Sequence, residues 1–259
     1  MLDLYHWEPN GFSLKALVAL NEKELDYTSH YVDWLADPMR RPTTLNLEAE
    51  LNPEIEGPIL VHDEAVITET FFMMAYLDDA FPRTKPLHPA DPYTVWQIQA
   101  WGRYMGERAA PAISTLGNDK FTSPAFQRSG AGSIDLAAIE PIERRTIWTQ
   151  VVEGSAGAEL LGQSRRRVGL AIDRIERTLT GADWLVADIF SAADIDAFAL
   201  ANSLPKLVPE LCNPTATPQM TAWLDRMRAR PSVVAALARA RTEQPELAFA
   251  PGPEHNRWG

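Results

Sequence analysis

The first eighty residues alternate between strand-like and helix-like hydrophobic patterns. Four short apolar runs predict strands, at residues 2–5, 27–32, 59–62 and 65–67. A two-residue polar break, Asp63-Glu64, separates the last two runs and predicts an antiparallel hairpin. Apolar residues at helical spacing follow Ser13 and again follow Glu69. The order predicts a small α/β domain, with an irregular or short-helical segment at residues 35–52.

Residues 81–92 divide the chain, because four prolines in so short a stretch are typical of a linker. Beyond them the pattern is helical: aromatic residues recur through 93–110, and a later apolar stripe of helical spacing ends near Gly181. Residues 117–135 are rich in Gly, Ser and Thr, and this composition predicts a loop. We therefore expect three parts: an α/β domain at 1–81, a linker at 82–92 and an all-α domain at 93–259.

Charge and cysteine content narrow the class of protein. The chain has 259 residues, and its 24 basic and 35 acidic residues give a net charge of −11, which disfavours nucleic acid and anionic membranes as partners. A single cysteine, Cys212, excludes a disulfide framework within one chain and fits a reducing compartment. We find no signal peptide and no apolar run of about 18 residues, so we expect a cytoplasmic protein. The histidines lack metal-ligand spacing, and no metal is expected.

The strongest local signal is Phe190-Ser-Ala-Ala-Asp194, which directly precedes an apolar run. The Ser191 side chain can cap a helix there, and the Asp194 carboxylate can bond back to the Ser191 amide. This arrangement is a capping box, and it concerns stability rather than chemistry.

Motifs in a particular order give the whole chain a resemblance to the cytosolic glutathione S-transferases. They are the strand-loop-helix with Ser13, Asn52-Pro53 followed by Pro58, Ile67-Thr68-Glu69-Thr70, the capping box, and Arg230-Pro-Ser-Val-Val. The resemblance implies an α/β, thioredoxin-like first domain and an all-α second domain. Within the family, LYHWEPNGFSLKALVALNEKELDY and DDAFPRTKPLHPADP resemble the bacterial β-etherases, which use glutathione to cleave β-aryl ethers of lignin fragments.

The resemblance implies a glutathione site in the first domain. A free thiol has a pKa of about 8.5, so the site must stabilise the thiolate. Ser13 would do so with its hydroxyl and its helix N-terminus, or it only caps the helix. Tyr5 is the alternative donor. Gly57, beside a cis Pro58, would pair with the peptide backbone. Glu69 would bind the ammonium group of glutathione, and Thr70 would bind its γ-glutamyl carboxylate. Arg40 or Arg41 would bind its glycyl carboxylate.

An aromatic substrate would lie against residues of both domains, which are Trp7, Phe12, Trp101, Tyr104 and Arg108. The alternative is that these aromatic residues belong to the core, as aromatics at helical spacing commonly do. Members of the family form dimers, so the expected partner is an identical or a related chain.

Two departures from the family pattern leave other functions open. Four acids, Glu48, Glu50, Glu54 and Glu56, lie close to the expected anion site. Two facing inward would weaken glutathione binding by roughly 1 to 4 kcal/mol, unless all four are solvated on a surface loop. Phe12 stands where the β-etherases have an amide-bearing residue, and it cannot donate to a thiolate. The sequence favours a β-etherase, with two alternatives: a non-catalytic or weakly catalytic subunit of a heterodimeric β-etherase, or a general detoxifying glutathione transferase.

Overall fold

The computed structural model describes residues 1–33, 57–129, 134–139, 142–154 and 156–250. A mixed sheet comprises β1 (Leu2–His6), β2 (Thr28–Tyr31), β3 (Ile59–His62) and β4 (Ala65–Ile67). Its spatial order is β2-β1-β3-β4. β1 is parallel to β2 and antiparallel to β3, and β3 and β4 form an antiparallel hairpin. The four predicted strands and the hairpin are confirmed, each to within one residue.

Helices make up most of the rest of the described chain. Two accompany the sheet, α1 (Gly11–Glu22) and α2 (Thr70–Ala80). The others are α3 (Pro92–Tyr104), α4 (Ala110–Gly117), α5 (Ser123–Ser129), α6 (Ile142–Glu153), α7 (Ala158–Thr178), α8 (Ala192–Ala201), α9 (Leu204–Leu207), α10 (Pro218–Arg228) and α11 (Pro231–Leu237). Single π-helical turns, Met105–Ala109 and Asn118–Thr122, join α3 to α4 and α4 to α5. A mixed sheet followed by a helical layer is the predicted α/β plus all-α architecture.

Helix α1 is the element that the two halves of the fold share. It contacts α2 from the first half and α8 and α11 from the second. Neighbours on several sides leave eleven of its twelve residues buried, so it has no solvated polar face. Residues on α1 can therefore reach cavities that lie on either side of the boundary between the halves.

The predicted loop at 117–135 is wrong over most of its described length. Residues 118–122 form a π-helical turn and 123–129 form α5. Small residues serve packing here: a Cβ built on Gly117 would lie 2.4 Å from the Phe249 ring. The Ser123 hydroxyl donates to the Val151 carbonyl at 2.7 Å, so this polar side chain is satisfied inside the helical layer.

Partly buried ionic contacts and hydrogen bonds attach Leu87 and His88, in the expected linker, to α2. The Asp78 carboxylate, on α2, accepts hydrogen bonds from the Lys23 ammonium at 2.7 Å and from the Leu87 and His88 amides at 2.8 to 3.1 Å. The His88 ring nitrogen Nδ1 lies 2.8 Å from the same carboxylate. Because Lys23 is 1% exposed, its charge depends on this carboxylate for compensation.

The capping box before α8 is confirmed. Ser191 Oγ accepts a hydrogen bond from the Ala193 amide at 3.3 Å, and the Ser191 amide donates back to Asp194 Oδ2 at 3.1 Å. The Leu185 amide and the Trp223 indole also donate to Asp194. Burial raises the pKa of Asp194 to about 6, although these three donors oppose the rise.

The helices of the described residues can be compared with the length and apolar character of a membrane span. Not one of them combines the length and the apolar character that crossing a bilayer requires.

Candidate functional site

Ser13 lies in the first turn of α1 with its side chain buried. The helix begins at Gly11, and Asn10 occupies the N-cap position in an extended conformation. The alternative that Ser13 is the helix cap is therefore wrong. The Trp7 amide donates to Ser13 Oγ at 3.1 Å. Since the oxygen is the acceptor in this bond, the hydroxyl hydrogen remains available to a second partner.

A small cavity of about 20 Å³ adjoins Ser13. Trp7 and Gly57 also line it, so the structure brings together three of the residues selected from the sequence. The Gly57–Pro58 peptide bond is cis, as expected. Residues of the second half complete the wall, among them Ile113, Ser114, Leu200 and the segment Ala248–Ala250.

Hydrogen bonds to buried side chains hold the loop between β1 and α1 in place. His6 Nδ1 lies 2.6 Å from the Trp7 carbonyl oxygen, and His6 Nε2 lies 2.7 Å from Ser29 Oγ. Burial lowers the pKa of His6, which favours the neutral ring. The Glu8 carboxylate, 1% exposed, accepts a hydrogen bond from the Tyr31 hydroxyl at 2.9 Å. Sequence reasoning assigned no role to His6 or Glu8, although both make hydrogen bonds in the loop that carries the Trp7 amide.

A larger cleft of about 470 Å³ lies between the N-terminus of α2 and the end of α3. Glu69, Thr70 and Phe12 line it, together with Lys15, Phe71, Phe72, Gln99, Gly102, Arg103, Gly106 and Glu107. Thr70 is the first residue of α2 and is buried. Glu69 precedes it with a φ of 61°, in the left-handed region that costs a residue with a Cβ about 1 to 3 kcal/mol. Such strain is common at ligand sites, and it turns the chain sharply into α2.

An ion pair buried between the two halves lies beside this cleft. Lys15 Nζ is 2.9 Å from Asp196 Oδ1 on α8, and the two side chains are 3% and 1% exposed. Neither Asp196 oxygen has a hydrogen bond of good geometry within the described residues, so charge rather than alignment holds the pair. The same ammonium lies 4.5 Å from the centroid of the Phe12 ring. Sequence reasoning missed Lys15, and its signal was a lysine inside an otherwise apolar helix.

Four expected site residues lie elsewhere. The Arg174 guanidinium carbon lies 4.5 Å from the centroid of the Trp101 ring and 4.2 Å from that of the Tyr104 ring. Neither ring lines the small cavity or the larger cleft. The exposed Arg108 also lines neither. The physical reason is helical spacing, because Gly102, Arg103 and Gly106 face the cleft in their place. Tyr5 stacks on the His30 ring at 4.5 Å and contributes to neither cavity.

The expected glutathione residues thus fall into two groups: Ser13 with Gly57, and Glu69 with Thr70. Phe12 adjoins Ser13 in sequence but lines the larger cleft, so α1 separates the groups. The expected cations Arg40 and Arg41, and the acids Glu48, Glu50, Glu54 and Glu56, lie outside the described residues. Within the described ranges there is no cluster of three side chains suited to a metal ion.

Both halves of the chain match one family of known proteins. The model of the glutathione S-transferase N-terminal domain matches residues 11–80, and that of the C-terminal domain matches 137–231. Protein LigF of Sphingobium sp. strain SYK-6 is 31% identical, over 90% of this chain and 91% of LigF. The crystal structure of β-etherase LigF has a TM-score of 0.81 at 30% identity, covering 92% of this chain and 99% of that one. A Sulfitobacter glutathione transferase homologue with bound glutathione has a TM-score of 0.66 at 21% identity over 92% of this chain and 98% of that one, a likeness of fold alone.

Proposed function

The chain belongs to the glutathione S-transferase family and is an enzyme of that type, and from this premise we propose that it cleaves β-aryl ethers with glutathione. The observation that carries the proposal is the buried Ser13 hydroxyl, which lines the same cavity as Gly57 and accepts a hydrogen bond from the Trp7 amide. The likeness to the β-etherase LigF, over nearly the whole of both chains, supports the choice of substrate class.

The proposed reaction is a displacement at carbon without a change of redox state. The glutathione thiolate attacks the carbon that carries the aryloxy group, next to a ketone. A carbon–sulfur bond forms as the carbon–oxygen bond breaks, and the phenolate leaves with the electron pair and takes a proton from solvent. The products are a phenol and a glutathione thioether.

Ser13 supports the thiolate in this proposal. Lowering a thiol pKa from about 8.5 to about 7 requires about 2 kcal/mol in favour of the anion. One hydrogen bond to a charged group contributes about 1.5 to 3 kcal/mol, so a single hydroxyl donor suffices. The Trp7 amide polarises the Ser13 hydroxyl by donating to its oxygen, and this strengthens the hydroxyl as a donor.

The peptide part of glutathione spans the two cavities. Gly57 offers its backbone beside the thiol, and the small cavity that it shares with Ser13 has room for the sulfur only. The γ-glutamyl end reaches the larger cleft, where its ammonium meets Glu69 and its carboxylate meets Thr70 and the N-terminus of α2. Lys15 lines the same cleft, and Asp196 compensates its charge there.

The small size of the Ser13 cavity favours one second candidate. About 20 Å³ holds a single water-sized molecule, whereas an aryl ether needs far more room. A weakly catalytic subunit, which shapes the site of a paired chain, is consistent with so closed a cavity. This candidate predicts poor retention of the purified chain on a glutathione column, co-purification with a related chain, and full activity of the paired complex with Ser13→Ala in this chain.

Two measurements on the purified protein test the proposal. Calorimetry with glutathione reports binding, and phenol release from 2-phenoxyacetophenone with glutathione reports turnover. Ser13→Ala should lower kcat/KM by about 100-fold, as for loss of one donor to a developing charge, with little change in glutathione affinity. Ser164→Ala is the matched control, because Ser164 is buried in α7 and lines neither cavity. Equal activities of the two variants would remove Ser13 from the mechanism, and no phenol release by the wild type, alone or paired with a related chain, would end the β-etherase proposal.

A further inference from the structure

The segment Arg241–Ala250, called here the C-terminal strap, crosses between the two halves of the fold. At its start, the Arg241 amide donates to the Glu8 carboxylate at 3.1 Å. Towards its end, the Asn10 side chain donates to the Ala248 carbonyl at 3.0 Å, and the Thr122 hydroxyl donates to the Phe249 carbonyl at 2.7 Å. The strap is therefore attached to the β1–α1 loop and to the helical layer at once.

Phe249 inserts its ring into a pit in the helical layer. The ring lies parallel to Phe121, with centroids 6.2 Å apart and an interplanar angle of 7°. Gly117 forms the floor of the pit, since a Cβ there would lie 2.4 to 2.5 Å from the Phe249 ring atoms. The side chain is 6% exposed. Stacking above and a glycine below make this pit a site shaped for a flat aromatic ring.

The same stretch of the strap closes the cavity beside Ser13. Ala248, Phe249 and Ala250 line that cavity, and only about 20 Å³ remains. A cavity that holds benzene measures about 150 Å³, whereas about 10 to 15 Å³ holds one water molecule. Among the residues that the structure describes, this cavity therefore has no room for an aryl ring beside the Ser13 hydroxyl while the strap lies in this position.

We propose that Phe249 occupies the place of the substrate's aryl ring, and that the strap is displaced when an aryl substrate binds. The ring subsite is then the pit formed by Gly117 and Phe121, and Phe249 connects it to the cavity beside Ser13. The strap suits this exchange, because apart from the single 3₁₀ turn Pro245–Leu247 it has no regular structure. This inference rests on the proposed function, and it assigns that function a specific aryl subsite and a self-blocking contact.

Removing the Phe249 ring tests whether the substrate's aryl ring takes its place. The apparent affinity of a ligand falls by the fraction of protein in the competent state, so if the strap is open a tenth of the time, Phe249→Ala raises kcat/KM for 2-phenoxyacetophenone by about tenfold, mainly through KM. Gly117→Ala combined with Phe249→Ala places a methyl group in the pit and abolishes most of this gain. A fall in kcat/KM for Phe249→Ala would show that Phe249 is a wall of the substrate site. A double variant as active as Phe249→Ala would show that the aryl ring lies elsewhere.

A second variant loosens the strap from the outside. Lys206 holds the strap through Gln244 at 3.1 Å and through a short ion pair with Glu246. Lys206→Met should raise kcat/KM by about twofold, a small effect because exposed ion pairs are weak. Arg165→Met is the matched control, because the Arg165 side chain is as exposed as that of Lys206 and its ion pair with Glu210 does not involve the strap. This pair of variants decides the matter even if Phe249→Ala folds poorly, and equal rates for both would contradict the proposal.

Hydrogen exchange separates failure of the strap proposal from failure of the proposed function. The amides of residues 242–250, apart from Pro245, should exchange several-fold faster in the wild-type protein when 2-phenoxyacetophenone is added without glutathione. This readout requires no turnover. Unchanged or slower exchange would overturn the displacement of the strap whether or not the protein is active. Faster exchange with no phenol release would support the strap and reject the β-etherase activity.

Discussion

Asp78→Asn tests whether a single carboxylate holds the linker to the sheet domain. The side chain is 15% exposed and neutralises the Lys23 ammonium, which is 1% exposed. Asparagine keeps the shape and one acceptor for the Leu87 and His88 amides, but it removes the negative charge. Removal of one partner of a buried pair costs about 3 to 5 kcal/mol, and because an acceptor is retained we expect a loss of about 3 kcal/mol.

The dependence on pH gives an independent magnitude. Burial by itself raises the pKa of Asp78, but hydrogen bonds from His88, Lys23 and the Leu87 and His88 amides outweigh it and lower the pKa from 3.8 to about 2. At about 1.4 kcal/mol per pH unit, the difference corresponds to about 2.5 kcal/mol. Because the folded pKa is the lower one, this stability is present above pH 4 and is lost as the pH falls towards 2.

Urea denaturation of the two proteins between pH 7 and pH 2 measures both magnitudes. At pH 7 the variant should lose about 3 kcal/mol, or about 6 to 12 °C in Tm for a chain of this size. The difference between wild type and variant should shrink between pH 4 and pH 2. Asp79→Asn is the matched control, since the neighbouring Asp79 is exposed on the same helix. A loss below about 1 kcal/mol at pH 7, or a difference that does not change with pH, would refute the assignment of this charge as the fastening.

Three further substitutions give expected outcomes that denaturation or calorimetry can check. Asp196→Asn should lower the free energy of unfolding by about 3 to 5 kcal/mol, because it leaves the Lys15 charge uncompensated. The double variant Lys15→Met with Asp196→Leu should recover most of the lost stability. No recovery would mean that the pair has a role beyond its charge. Gly102→Ala should lower the free energy of unfolding by about 1 to 3 kcal/mol, because the added Cβ would lie 2.4 Å from the Phe71 ring. The same variant should weaken glutathione binding in the larger cleft. Unchanged stability would imply that Phe71 moves freely. Ser191→Ala should cost about 1 kcal/mol through loss of the cap, and an effect above about 3 kcal/mol would show that the box does more than cap α8.

The elements that sequence predicted well are those whose signal is local. β3 and β4 have the alternation and the two-residue break that define a hairpin, and the capping box needs only four consecutive residues. The loop prediction for residues 117–135 failed because Gly117 makes room for the ring of Phe249, which is far away in sequence. Composition cannot distinguish a glycine that frees the backbone from a glycine that admits a neighbouring ring.

The candidate site was predictable in its composition but not in its grouping. Ser13, Gly57 and Trp7 meet in one cavity because motifs at the ends of β1 and the start of β3 converge. Trp101 and Tyr104 were selected for their ring chemistry, yet α3 turns them towards Arg174. A change of one residue along a helix rotates a side chain by about 100°, and a single sequence does not fix that rotation when both faces of the helix are partly apolar.

Both cavities depend on the second half of the chain, although the family resemblance assigns glutathione to the first half. The cavity beside Ser13 is closed by the strap and by α4, and the larger cleft has α3 as one wall. Ser13 lines the small cavity, whereas Phe12 and Lys15, on the same helix turn, line the larger cleft, so the proposed peptide site includes both cavities. The Lys15–Asp196 pair crosses from that turn to α8. In the proposed function, the orientation of the two halves therefore sets the shape of the peptide site, and the helical half contributes to glutathione binding as well as to substrate binding.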